Sequence, residues 1–348
     1  MADYTGSVNW DLKIAGKELP DGDIVQFVVE KDLNQPDMAI VVLRNDEHTY
    51  TAACNHGDPF ELKLNKDGKV LFKGEVAGLE PQYKAGGESR LIVRAFGWLH
   101  KALAGRVSKT FQDKSDKQII GEVLGKSPTW KGPEITHKHV YQHNQSNLEF
   151  ARLRAARLGC YLWQEGDALM VKRPELDKDS GIEFKIFARE PGEYRLKSFT
   201  PRMSTSAITK AVEVRGWNPE TKELIVGKAT AKSSPLGSSG AAAAAKGNAA
   251  TETFTVDHPI WSKEEATAIA EARLQELSLA YITGEAEAIG NAAYQPSIVV
   301  KIVVKEAGPD KFNGKYLVTG VTHKYRQGGG AEGGYTTYLR LARDAESA

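Results

Sequence analysis

The sequence predicts an α+β chain, mainly β, in which two β-barrel units related by internal duplication flank a helix–hairpin α/β unit. Three observations carry that expectation. Short apolar runs bounded by turn residues fill the first hundred positions and return after Gly181. Between them, residues 140–173 read as one capped helix followed by one hairpin. One order of strand and glycine features then occurs twice, near residues 60–94 and near 299–341. The units are expected at 1–103, 104–178 and 179–348.

The bulk numbers allow such a chain and exclude others. Of 348 residues, 41% are hydrophobic and 26% charged, ordinary values for a globular protein with a core. Lys+Arg 46 against Asp+Glu 45 leaves a net charge of +1, so no electrostatic footprint for nucleic acid or an anionic membrane is expected. The N-terminus lacks the basic start and apolar core of a signal peptide, and no stretch nears the roughly twenty apolar residues of a membrane span. Folding in the cytoplasm without membrane insertion is the expectation. Cys54 and Cys160 are far apart, and Cys160 opens an apolar strand, which favours buried, reduced thiols.

In the first unit, Ile24–Val29, Met38–Leu43, Phe60–Leu64, Val70–Gly74, Val76–Tyr83 and Leu91–Phe96 read as strands, at a spacing that suits a sandwich or a barrel. Trp98–Leu103 is a crossover. Ser115 is placed to cap a helix that carries Ile119, Ile120, Val123 and Leu124 and ends near Gly125.

The central unit has the clearest punctuation. Ser146 with Glu149 is a capping box, and Leu148, Ala151, Ala155 and Leu158 recur at helical spacing. Gly159 supplies the left-handed stop. Cys160–Trp163 and Ala168–Val171 follow as strands joined through Gln164–Asp167. Phe150 and Leu153 fall off the main apolar face, so this helix should touch protein on two sides. With Tyr161 and Trp163 on the hairpin, they are the candidate interface residues.

After Gly181, Ile182–Phe187, Ser198–Met203, Ala211–Trp217 and Glu223–Gly227 read as strands. Residues 229–251 are low in complexity and read as a loop or an insertion, because five alanines cannot nucleate a lone helix. Ser262 and Glu265 form a second capping box, opening a helical insertion at 262–280. Two strand pairs close the chain.

The repeat aligns Phe60–Leu64, Phe72-Lys-Gly74, Gly78, Tyr83, the Gly86-Gly87 loop and Arg90–Arg94 with Val299–Val304, Phe312-Asn-Gly314, Gly320, Tyr325, the Gly328–Gly334 loop and Tyr338–Leu341. Strand and turn chemistry converges easily, so chance similarity of two meanders is the competing account. If the repeat is real, three copies would place six similar barrels in a ring.

The order Gln142, Gln145, Ser146-Asn-Leu-Glu-Phe150, Arg157-Leu-Gly-Cys-Tyr-Leu162, glycine turn and Leu169-Met-Val-Lys-Arg173 resembles the phage late control D family. That family forms the hub of contractile phage tails and the N-terminal part of VgrG spike proteins. Phe72-Lys-Gly74, Phe111–Ile120, Val214–Pro219 and Phe312–His323 extend the resemblance over most of the chain. It implies a trimeric, non-enzymatic baseplate hub with two tube-type barrels per chain, seated between a hexameric inner tube and a trimeric spike. The partners implied are a homotrimer, an inner tube protein, a separate spike protein and other baseplate proteins, in a phage tail, a tailocin or a contractile injection particle. VgrG proteins continue into further spike domains where this sequence stops at Ala348, which is why the spike is expected as a separate chain.

The residues themselves nominate no catalytic, cofactor or metal site. His137 and His139 would share a strand face, with His143 nearby, yet no Cys or acidic ligand stands at a metal spacing. Cys54, His56 and Asp58 are too close for a triad, and Gly57-Asp-Pro59 reads as a turn. The glycines at 328–334 lack the Lys-Ser/Thr of a phosphate loop. Two other function classes stay open: a tail-tip cell-wall hydrolase and a carbohydrate-binding β protein. No acid pair marks the first, and the six scattered tryptophans give little support to the second.

Overall fold

The computed structural model describes residues 9–64, 68–188, 193–206, 208–237, 239–240, 251–256, 259–306, 308, 310–328 and 334–346. Strands β1 (Trp10–Ile14) and β2 (Lys17–Leu19) form a hairpin ahead of the strands expected from sequence, turning through left-handed Ala15 and Gly16. The next strands are β3 (Ile24–Asp32), β4 (Met38–Arg44), β5 (Pro59–Leu64), β6 (Val70–Gln82) and β7 (Arg90–Phe96), with the short helix α1 (Thr49–Ala53) before β5. Each alternates inward apolar and outward polar residues; Leu91, Val93 and Ala95 of β7 are wholly buried. Val70–Gly74 and Val76–Tyr83, read as two strands, are one long strand, since β6 bulges between Val76 and Gly78.

The middle module holds β8 (Val107–Ser115), α2 (Asp116–Leu124), β9 (Pro128–Lys131), β10 (Thr136–Gln145), α3 (Asn147–Arg157), β11 (Tyr161–Glu165) and β12 (Ala168–Lys172). Both expected caps form: Ser115 with Gln118, and Ser146 with Glu149, each bonding reciprocally to the other's backbone. Gly125 and Gly159 take the left-handed conformation at φ 67° and 71°. The β11–β12 turn is tighter than expected, because Glu165 pairs with Ala168 and only Gly166 and Asp167 remain between.

The last part is more elaborate than the sequence indicated. β13 (Asp179–Lys185) and β14 (Tyr194–Met203) lead into a separate sheet of β15 (Ala211–Asn218), β16 (Glu223–Thr230) and β18 (Thr251–Thr255), while the two-residue β17 (Ser239–Gly240) pairs instead with the last strand of the chain. Helix α4 (Lys263–Leu279) covers the sheet of β15, β16 and β18, and the chain returns through β19 (Ile282–Ile289), β20 (Val299–Val303), β21 (Gly314–Arg326), β22 (Gly334–Arg343) and β23 (Ala345–Glu346). The expected loop at 229–251 is thus partly strand, and residues 241–250 lie outside the described residues, as do 329–333 of the glycine-rich loop. Gly227 lets α4 sit close, since a Cβ there would lie 2.2 Å from the carbonyl carbon of Ala266.

One sheet of 13 strands runs through both ends of the chain, in the order β2-β1-β5-β6-β7-β4-β3-β21-β20-β13-β14-β19-β22. Pairing of β22 back to β21 closes the second half into a six-strand barrel. The first half has the order β1-β5-β6-β7-β4-β3 and the second β13-β20-β21-β22-β19-β14, so each strand occupies the same place in sequence and in sheet. Two differences stand out. β13 runs parallel to both of its neighbours, whereas β1 is antiparallel to β5. Among the described residues no ladder joins β1 to β3; Trp10 of β1 instead meets Phe27 of β3 edge-on at 4.4 Å.

The ladders also correct the alignment of the two meanders. Val76 N–H donates to Asp58 O and Val318 N–H to Ile298 O, while Gly57 and Ser297 return the bond. Both long strands bulge one residue later, and Gly78 and Gly320 then face Arg94 and Arg340. Gly78 with Gly320 and Tyr83 with Tyr325 keep the expected correspondence. Phe72 falls opposite Gly314 rather than Phe312, because Glu75 and Leu317 are equivalent across the neighbouring strands.

Candidate functional site

The two six-strand halves meet through β3 and β21, paired antiparallel from Gln26↔Arg326 to Asp32↔Gly320. Beside this seam Phe27 stacks on Tyr325 at 5.3 Å, and Trp10 lies 5.1 Å from both Tyr325 and Tyr335. Beneath it His323 is fully buried, with its Nδ1 2.8 Å from the Tyr335 hydroxyl and 3.2 Å from Thr337 Oγ1. Burial, reinforced by the Lys31 charge, pushes His323 down to about 3 and keeps it neutral. On the outer face Arg340 of β22 reaches Asp32 of β3. Gly320 makes room for it, since a Cβ there would lie 2.5 Å from an Arg340 nitrogen.

The first six-strand half is also clamped to the middle module. Asn34, left-handed at φ 72°, donates its N–H to Leu162 O at 2.9 Å and accepts the Leu162 N–H on Oδ1 at 2.8 Å. Leu33 packs with Trp163 and Met170, and Gln164 Oε1 accepts the Leu99 N–H at 3.3 Å. These contacts join the β3–β4 turn and the segment after β7 to one hairpin.

A buried ionic cluster joins the middle module to α4. Asp116 accepts from Arg154 Nε at 2.5 Å and lies 2.7 Å from His137 Nε2. Glu265 accepts from Arg157 Nη2 at 2.5 Å and from the Trp261 N–H at 3.0 Å, and lies 3.4 Å from His137 Nδ1. Burial alone would push the Glu265 carboxyl up, but the His137 hydrogen bond and the Arg157 charge outweigh it and hold it at about 2. Burial would likewise lower His137, yet its bonds to Asp116 and Glu265 prevail and raise it. Ser262 caps α4 as expected, but the expected capping box does not close, because Glu265 turns into this cluster.

The interface candidates separate. Phe150 is buried, stacked on Phe111 at 5.7 Å in a cluster with Ile119 and Val140, so the second side of α3 faces its own chain. Trp163 is buried as well, and Tyr161 is half-buried between two clusters. Leu153 is 58% exposed and lines a cleft of about 870 Å³ with Tyr141, Arg157 and Phe254.

The histidines do not share a face. His137 points inward while His139 is exposed, because β8 kinks opposite them at left-handed Asp113 (φ 49°). Among the described residues no group of three or more His, Cys, Asp or Glu could hold a metal ion. Cys54 and Cys160 are buried free thiols, and burial pushes Cys160 up to about 12. No helix among the described residues is long and apolar enough to cross a membrane.

This architecture is that of tail proteins of phages and of type VI secretion components. The tail protein of Neisseria meningitidis MC58 superimposes with a TM-score of 0.72 at 12% identity, over 97% of each chain. The 43 kDa tail protein of prophage MuSo2 from Shewanella oneidensis gives 0.68 at 12%, over 97% of this chain and 98% of that one. The E. coli c3393 protein, a type VI secretion component similar in structure to the T4 tail proteins gp27 and gp5, gives 0.64 at 13%, over 95% of this chain and 76% of that one. At such identities the likeness defines the fold. Residues 5–327 match the model of the Alg8 N-terminal domain, and the chain belongs to that family. No curated protein matches it in sequence.

Proposed function

We propose that this chain is the structural hub of a contractile tail or injection-system baseplate, a trimer whose six barrel units mimic a sixfold ring. In that role it adapts a hexameric inner tube to a trimeric spike. The observation that carries the reading is the single 13-stranded sheet, in which two six-strand units of one strand order are joined edge to edge. A duplicated unit is what a threefold assembly needs to present six similar surfaces. The late control D resemblance and the tail-protein fold support a mechanical role. Assembly into a phage tail, tailocin or injection particle follows, with inner tube, spike and other baseplate proteins as partners.

Rigidity is the physical requirement of such a hub, since contraction force must cross it without unfolding it. The continuous sheet, the Asn34–Leu162 clamp and the buried ionic cluster tie barrels and modules together by bonds between distant segments. Light scattering on purified protein, across a concentration series and with tube protein added, tests the reading. The expected mass is near three times the 38.1 kDa chain. A monomer that neither tube nor spike protein assembles would end it.

A further inference from the structure

We infer that the open edges of β14 and β6 are the two halves of the contact between neighbouring copies, repeating between chains the β3–β21 seam found within one. The inference rests on the ring proposed above. Strand positions make β14 the counterpart of β3, and β6 that of β21. Both edges are unpaired where the counterpart is paired. β13 meets β14 only at Tyr194 and Arg195, so among the described residues Leu196–Met203 have no partner strand on that side. The β5–β6 ladder ends at Pro59↔Glu75, so among the described residues Gly78–Gln82 of β6 have no partner strand on that side.

The registers fix which residues would meet. Gly78 matches Gly320 through Arg94 and Arg340, and Val28 matches Thr200 through Ile40 and Glu285. Carrying the β3–β21 pairing across sets Phe199 opposite Tyr83, Arg202 opposite Glu80 and Met203 opposite Leu79. Phe199 and Tyr83 thus stand where Phe27 and Tyr325 stack. Burial follows the same logic. Phe27, Val29 and His323 are wholly buried and Val321 nearly so, whereas Tyr83 is 60% exposed, Pro81 is exposed, and Phe199, Leu79 and Met203 are half-buried. A sheet edge whose apolar residues are half-covered in one chain is a surface completed by another.

The open seam is not a copy of the closed one. Pro201 and Pro81 fall opposite each other, where Val29 faces His323. The Gln327 N–H donates to Val25 O, so odd-numbered residues of β3 and β21 turn their amides to the seam. Both prolines inherit that direction and cannot donate. Main-chain bonds are therefore fewer at the centre of this ladder than in the β3–β21 seam. Specificity then falls to side chains: the ring pair Phe199–Tyr83 and the charge pair Arg202–Glu80, the latter already beside Arg94.

Charge reversal tests this. Arg202→Glu and Glu80→Arg, checked for folding by circular dichroism, should each raise the concentration at which the trimer half-dissociates by about tenfold or more. The double variant should restore it. Arg202→Cys with Glu80→Cys should also give interchain disulfides under oxidation, because this pair is of the closely spaced, non-hydrogen-bonded kind. A trimer whose stability neither reversal changes, and which the cysteine pair does not cross-link, overturns the seam and leaves the ring standing. A wild-type chain that stays monomeric with tube and spike proteins present overturns the ring, and the seam falls with it.

Discussion

Arg157 of α3 donates to Glu265 of α4 at 2.5 Å, joining two helices that lie 108 residues apart in sequence. Their side chains are only 10% and 1% exposed, so neither charge is compensated by bulk water. Truncating one partner leaves the other buried and unpaired, at a cost of about 3–5 kcal/mol. Glu265→Ala should therefore lower the urea midpoint by an amount corresponding to that cost, whereas Lys138→Ala, which breaks the exposed pair with Glu220, should change it little. Equal midpoints for the two variants would show that the cluster does not hold the modules together.

His323 makes the barrel seam sensitive to acid. Its folded value of about 3 lies below the ordinary 6.5, so the folded state binds fewer protons than the unfolded state between those values. Stability from this group is complete above pH 6.5 and declines as pH falls towards 3. His323→Gln should flatten that part of the stability–pH curve. A chevron or melting series at pH 7, 5 and 4 measures it, and an unchanged slope in the variant would assign the acid response elsewhere.

The exposed and buried sides of α3 should respond very unequally. Phe150→Ala empties the stack on Phe111 and should cost about 3–5 kcal/mol by chemical denaturation. Leu153→Ser, at a 58% exposed position, should stay within about 0.5 kcal/mol. Leu153→Ser should leave the trimer mass unaltered as well if the chain assembles through β6 and β14, and a loss of trimer would move the contact to the cleft.

What the sequence determined by itself is local. Ser115 and Ser146 announced their helices, Gly125 and Gly159 their ends, and short apolar runs on either side of a glycine turn the β11–β12 hairpin, because caps and turns are satisfied within a few residues. The mainly β character followed from strand-length apolar runs for the same reason. Tertiary structure decided the remainder. Phe150 and Trp163 looked available to partners because periodicity within one helix or hairpin cannot reveal what approaches its second side. Glu265 read as half of a capping box until Arg157 and His137 came within reach of its carboxylate, a stronger attraction than one backbone N–H. The parallel run of β13, the bulges of β6 and β21, and the seam of β3 on β21 depend on pairings between segments up to some 300 residues apart. No local pattern encodes a partner that distant; the packed chain selects it by which edges are left unpaired.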